Sequence, residues 1–169
     1  MQTMTRTTLA TLVSSLTATL AFSAAAHAAV LTETNLSMAD AQKLATATVA
    51  ACQAKGYNVS ASVVDRAGLL KAFARADNAG PHTIEASRAK AFTAVSAKTP
   101  TLTMMENAQK NPGATNLTDI PGFLLLGGGV PVKAGDKVIG AIGVAGAPGG
   151  HLDAQCADTV LQDNAAMFK

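Results

Sequence analysis

Apolar and polar residues alternate along this chain in short amphipathic elements separated by turn formers. From Asn35 to Lys55, Ala41, Leu44, Ala45, Thr48 and Cys52 recur at helical spacing and define one face. Ser37 stands at the N-cap position with Asp40 three residues on, a capping-box-like pair, and Gly56 supplies a stop. Over Tyr57–Val64 the period changes to two. Tyr57, Val59, Ala61 and Val63 alternate with Asn58, Ser60 and Ser62, which predicts a half-buried strand. Asp65–Gly68 makes a turn, and Leu69–Arg75 returns as a second strand. Alternation puts Leu70, Ala72 and Ala74 on one of its faces and Leu69, Lys71, Phe73 and Arg75 on the other.

A helix over Thr83–Ala97 follows, with Ile84, Arg88, Ala91 and Val95 on one side. Thr99 as N-cap and Pro100 at the first helical position open a shorter helix, Thr101–Lys110, striped by Leu102, Met105 and Gln109. Met104 and Met105 read as core gap-fillers. Asn111–Pro121 is polar and turn-rich and is expected to be an exposed loop. Phe123–Leu126, Gly129–Lys133 and Lys137–Val144 read as three more strands, the last two joined by a turn at Ala134–Asp136, and His151–Phe168 closes the chain as a helix. Hairpin links in this order predict an α+β sandwich with a mostly antiparallel sheet, its first and last helices covering one face. No internal repeat or second domain is visible.

The amino terminus stands apart from this pattern. Met1–Arg6 carries one positive charge, Thr7–Phe22 is apolar and small, and Ala26-His27-Ala28 fits a small-residue cleavage site. Residues 1–28 are therefore expected to be a secretory signal peptide, leaving a domain over 29–169 in the periplasm or secreted. The apolar stretch is too short and too polar for a stable membrane span. Without Arg6, twelve Lys and Arg oppose eleven Asp and Glu, and no basic run exists, so neither nucleic acid nor an anionic membrane is implied as a partner. Cys52 and Cys156 would reach an oxidising compartment, where a disulfide and two separately buried thiols are both open readings. With no Trp, the core must be largely Ala, Val, Leu and Ile, small side chains that suit close helix–sheet packing and self-association.

Gly127–Asp153 holds nine of the fourteen glycines. Such density costs backbone entropy and implies turns, positive-φ positions, or backbone approaching a ligand or another subunit. Phosphate-cradling explanations fail: GxxxxGK[ST] is missing, and Val132 stands where GxGxxG needs its third glycine. GxSxG, zinc spacing of Cys and His, and a paired-carboxylate constellation are missing too. The remaining chemistry is His151 at the start of the last helix and His82 beside Pro81, imidazoles of the type that binds haem iron or another transition metal. Arg88 and Lys90 could clamp carboxylates such as haem propionates.

Several stretches together resemble one family. Asp65 with Gly68, Arg75-Ala76-Asp77, Ala89-Lys90-Ala91 with Thr93-Ala94, Gly127-Gly128-Gly129-Val130-Pro131, Gly140-Ala141-Ile142-Gly143-Val144 with Gly146, and Asp153 with Cys156-Ala157 occur in the order seen in the GlcG/HbpS-like haem-binding, or "haem-degrading", proteins. The resemblance covers about Leu36 to Phe168. It implies a profilin-like α+β fold with a five-stranded antiparallel sheet flanked by helices, self-assembly into homo-oligomers, and haem as cofactor. Many relatives carry Ser where this chain has Ala145. The family supplies the ligand type, while His151 and His82 as iron ligands, with Gly127, Gly128 and Gly129 as a wall, rest on chemistry. Alternatives are an enzyme, through oxidative haem breakdown or redox chemistry at Cys156, and a module binding a corrinoid or an organic acid.

Overall fold

A computed structural model describes residues 30–168; the expected signal peptide lies outside them. Helix α1 (Met38–Gln53) starts as its pattern predicts. Ser37 Oγ accepts the Asp40 backbone N–H at 3.1 Å and donates to the Asp40 carboxylate at 2.7 Å, satisfying one of the unpaired donors of the first turn. Strands β1 (Ser60–Asp65) and β2 (Leu70–Arg75) form a hairpin whose turn is tied by Asp65 Oδ1, which accepts the N–H groups of Ala67 and Leu69. Helices α2 (Thr83–Ala97) and α3 (Thr101–Lys110) follow, then strands β3 (Gly129–Ala134) and β4 (Lys137–Ala145) and helix α4 (Gly150–Asp163). Pro100, not Thr99, occupies the N-cap position of α3, and the Thr99 hydroxyl donates instead to the Ala97 carbonyl.

The sheet has four antiparallel strands in the order β2-β1-β4-β3, so β1 and β4 are central. Helices α1 and α4 cover one face, where Leu44, Val63, Ile142, Val144 and Cys156 share the main core. Helix α2 covers the other face, with Ala91, Ala94 and Val95 against Val64 and Ala141. This double cover explains why β1 is buried throughout instead of half-buried. Its polar positions meet an equally small polar helix face, Ser60 bonding Thr83 at 2.7 Å and Ser62 bonding Ser87 at 2.8 Å between hydroxyls. Below α2, a side chain at Gly143 would collide with the Ser87 carbonyl and Ala91, so the bare backbone here lets the helix lie close to the sheet.

Three expectations are corrected. The sheet is not five-stranded among the described residues, because Phe123–Leu126 forms no strand. Its backbone groups bond to helix side chains and to the loop itself: Leu124 N–H donates to Thr93 Oγ1 at 2.8 Å, Thr101 Oγ1 donates to the Leu126 carbonyl at 2.7 Å, and the Phe123 N–H donates to the Ile120 carbonyl at 3.0 Å. Pro112–Asp119, expected as loop, is a surface 3-10 helix started by Asn111, whose side chain accepts the Gly113 N–H. In the first hairpin the register shifts: Val63 pairs with Ala72 and Val64 with Leu70, so the β2 side carries one extra residue, a β-bulge. Leu70 therefore shares the α2 side of the sheet with Phe73 and Arg75 rather than facing away from them.

Cys52 of α1 and Cys156 of α4 form a disulfide with their Cα atoms 5.4 Å apart, resolving the choice that composition left open. Both residues are wholly buried.

Candidate functional site

Lys90 lies on α2 among Ser87, Ala91 and Ala94, the side that faces the sheet. Its stem runs inward to the rim of the sheet, where the ammonium donates to Asp153 Oδ2 at 2.8 Å and to the Val144 carbonyl at 2.9 Å. Asp153 belongs to the first turn of α4, and its other oxygen accepts the Ala147 N–H at 2.9 Å. The two side chains are 2% and 3% exposed, so this ion pair is a desolvated one with its polar atoms satisfied. Burial pushes the Asp153 carboxyl above its ordinary value of 3.8, against the pull of the Lys90 charge and hydrogen bond, the Ala147 N–H and the charge of His151.

The glycines read as a ligand wall serve this pair and its surroundings. Gly127 lies against Gly150 and Leu102, Gly129 against the Lys90 carbonyl and Thr101, and all of Gly127, Gly128 and Gly129 are buried by the chain itself. Thr101 Oγ1 also accepts the Gly129 N–H at 2.8 Å. A Cβ at Gly128 would stand 2.5 Å from the Val144 carbonyl oxygen, 2.8 Å from Asp153 Cβ and 2.9 Å from Lys90 Nζ, on a backbone with φ +120°. Gly128→Ala is therefore expected to cost at least about 2 kcal/mol in urea unfolding, combining overpacking with backbone strain. Gly135→Ala is the control: its φ is +56° in the β3–β4 turn with no atom within 4 Å of the added Cβ, and its cost should stay near ~1 kcal/mol. Equal costs would show that packing around the ion pair does not set the need for Gly128.

His82 and His151 both stand at helix starts. His82 precedes the first turn of α2 and His151 lies in the first turn of α4. Both are exposed, and each ring folds back over the glycine two residues earlier, Gly80 and Gly149. Their helices lie on opposite faces of the sheet, so the structure presents two separate exposed imidazoles rather than a preformed cluster; among the described residues no group of three metal-ligating side chains converges. Arg88 is exposed and donates to Glu85 at 2.9 Å. It remains accessible to an anion, whereas Lys90 is committed to Asp153. Cys156 offers no thiol, being bonded to Cys52. Apart from these groups, an apolar groove of about 280 Å³ lies between α3 and the 3-10 segment, lined by Met105, Ala108, Gln109, Thr115, Thr118 and Leu125.

The buried pair is the feature that the amino-acid pattern had not revealed. Its partners are 63 residues apart in sequence, but one sign was legible: Lys90 shares the helical stripe of Ser87, Ala91 and Ala94. A lysine on a stripe of small sheet-facing residues requires a buried partner.

Comparison with known proteins places this architecture. The family model for the "haem degrading protein HbpS-like" proteins matches residues 36–162. The chain belongs to the HbpS-like family. Among curated HbpS-like relatives, protein GlcG of Escherichia coli K12 is 36% identical over 107 residues, 61% of this chain and 78% of GlcG. An uncharacterized 15.0 kDa protein from the dhaT-dhaS intergenic region of Citrobacter freundii is 35% identical over 115 residues, 66% of this chain and 80% of its own. Among solved structures, a double mutant of HbpS from Streptomyces reticuli superposes with a TM-score of 0.75 at 41% identity, covering 80% of this chain and 90% of that one. A complex of PduOC with heme superposes with a TM-score of 0.67 at 27% identity, covering 76% and 94% respectively. The α+β fold with an antiparallel sheet and flanking helices is thus an HbpS-like fold, and haem binding is a property found within this family and its structural neighbours.

Proposed function

We propose that this chain is an exported, self-associating haem-binding protein in which His151 or His82 ligates the iron. The observation that carries the reading is the superposition on a haem complex within an HbpS-like architecture. The residues suit the group: two exposed imidazoles are free to approach iron, and exposed Arg88 can meet a propionate. Bound haem would supply a redox-active iron. The chain's part is to hold it through an imidazole nitrogen and a charge-assisted hydrogen bond. Gly127, Gly128, Gly129 and Lys90 support the mouth of α4 from within rather than touching ligand.

Titration of the mature protein with hemin checks this. The expected outcome is a saturable Soret change, shifted or weakened in the His82→Ala/His151→Ala double variant. A spectrum identical in wild type and double variant overturns ligation by these histidines, and no saturable change overturns haem itself, leaving a corrinoid or an organic acid as the ligand class to test. Export is supported by the amino-terminal pattern and by the buried disulfide, which requires oxidising conditions to form. Intact-mass measurement of the protein from its native envelope or medium should read a start at Ala29, and a mass including residues 1–28 would refute processing.

A further inference from the structure

Two short turns of this chain share one local construction. In Gly80-Pro81-His82-Thr83 the Gly80 carbonyl accepts the Thr83 N–H at 3.1 Å, and in Gly149-Gly150-His151-Leu152 the Gly149 carbonyl accepts the Leu152 N–H at 2.9 Å. Each turn leads into a helix, α2 or α4, and carries a histidine as its third residue. Both hang at the same end of the sheet. Ser60 pairs with Arg75 and Ala145, the last residues of β2 and β4, and its hydroxyl bonds Thr83, the residue after His82. Asp153, two residues after His151, accepts the N–H of Ala147 just beyond β4.

In both turns the imidazole lies by one edge against the glycine. A Cβ on Gly80 would stand 2.7 Å from Cε1 and 2.9 Å from Nδ1 of His82, but 3.9 Å from Nε2. A Cβ on Gly149 would stand 2.8 Å, 2.9 Å and 3.8 Å from the same three atoms of His151. Any side chain at these glycines would displace the ring. Neither glycine has a positive φ, so the backbone does not demand glycine at either place. The demand comes from the ring, whose close approach only a bare Cα admits.

We infer that Gly80 and Gly149 are positioning residues for haem ligation: each seats its imidazole by the Nδ1–Cε1 edge and leaves Nε2 as the nitrogen offered to iron. The inference rests on the haem-binding reading above. An axial ligand needs one ring nitrogen clear of the protein, and the seated edge has the glycine backbone against it. Both histidines are exposed, so core packing does not hold their rings. A seat against glycine restrains each ring before the ligand arrives, and less side-chain freedom is then lost on binding.

Hemin titration of the mature, oxidised chain tests this, comparing wild type with Gly80→Ala/Gly149→Ala. The expected result is binding weakened by about three- to tenfold at unchanged far-UV circular dichroism, since the added methyl groups meet only movable rings. Two measurements on wild type read the seat itself. Without ligand, the α-proton resonances of Gly80 and Gly149 should carry ring-current shifts that vanish in His82→Ala/His151→Ala. With zinc protoporphyrin, a diamagnetic probe that takes one axial imidazole, the histidine nitrogen spectrum should respond at Nε2; a response at Nδ1, or none, overturns the inference. If the glycine variant loses its fold, these two measurements decide. No saturable hemin change, or one that His82→Ala/His151→Ala leaves untouched, overturns histidine ligation and this inference with it. Histidine-dependent binding that is equally tight in the folded glycine variant overturns the seating role alone.

Discussion

Lys90→Met is expected to lower the unfolding free energy by about 3–5 kcal/mol at neutral pH, the cost of leaving one member of a buried ion pair unpaired. In this domain that corresponds to a fall in Tm on the order of 10 °C. Methionine keeps most of the stem that packs between α2 and the sheet, so the loss falls on the charge and on the two hydrogen bonds to Asp153 and the Val144 carbonyl. The pH dependence has a defined sign. Burial already raises the Asp153 carboxyl above 3.8, and removing the Lys90 charge raises it further. A carboxyl with a raised folded-state pKa favours folding fully below its unfolded pKa and loses that contribution as pH rises through the folded value. The unfolded states titrate alike, so the deficit of Lys90→Met relative to wild type should be small in acid and grow only once pH passes the wild-type folded-state value, above the ordinary aspartate range. Lys90→Met/Asp153→Leu should recover part of the loss, because an apolar pair leaves no unpaired charge. Urea unfolding of the three proteins across pH measures all of this. A deficit independent of pH, with no recovery in the double variant, would refute the role given to charge.

Removing the Cys52–Cys156 bridge is the second large change, expected to cost about 2–5 kcal/mol. The linked residues are 104 apart, and for a loop of about 100 residues the chain-entropy model gives ~4.7 kcal/mol. Cys52→Ala/Cys156→Ala leaves two small apolar side chains in a core where both sulfurs are wholly buried, so a cavity adds to the loss. Because that burial excludes solvent, thiol reductant should open the bridge only as fast as α1 and α4 separate. Thiol labelling with and without denaturant, together with unfolding of the double variant, reads both effects. Rapid labelling of the reductant-treated native protein would contradict the burial on which the argument depends.

The local elements were legible wherever sequence neighbours determine them. Ser37 and Asp40 form the predicted cap, the β1–β2 hairpin turns on Asp65, and β3 and β4 join through Gly135 and Asp136. What escaped depends on distant partners. Phe123–Leu126 has a strand's composition, but Thr93 and Thr101, on helices earlier in the chain, take up its backbone groups. The bulge at Lys71 has no composition of its own, so alternation misassigned Leu70. The candidate site divides in the same way. His82 and His151 were found as residue types at helix starts, where the structure places them. The Asp153 partner of Lys90 lies on another helix, and the packing of the chain against Gly127, Gly128 and Gly129 comes from distant elements, so neither contact can be seen in one dimension.

The sulfur bridge also changes what a cut in the backbone means. From Cys52 to Cys156 the polypeptide is a covalent ring, and β1, β2, α2, α3, β3, β4 and the surface 3-10 segment Pro112–Asp119 all lie within it. A protease that cleaves one exposed bond in that segment opens the ring without releasing a fragment: each piece keeps one half of the cystine, and the sheet that spans both pieces keeps them in register. A first nick would therefore leave one molecule, and two separate chains would appear only after reduction.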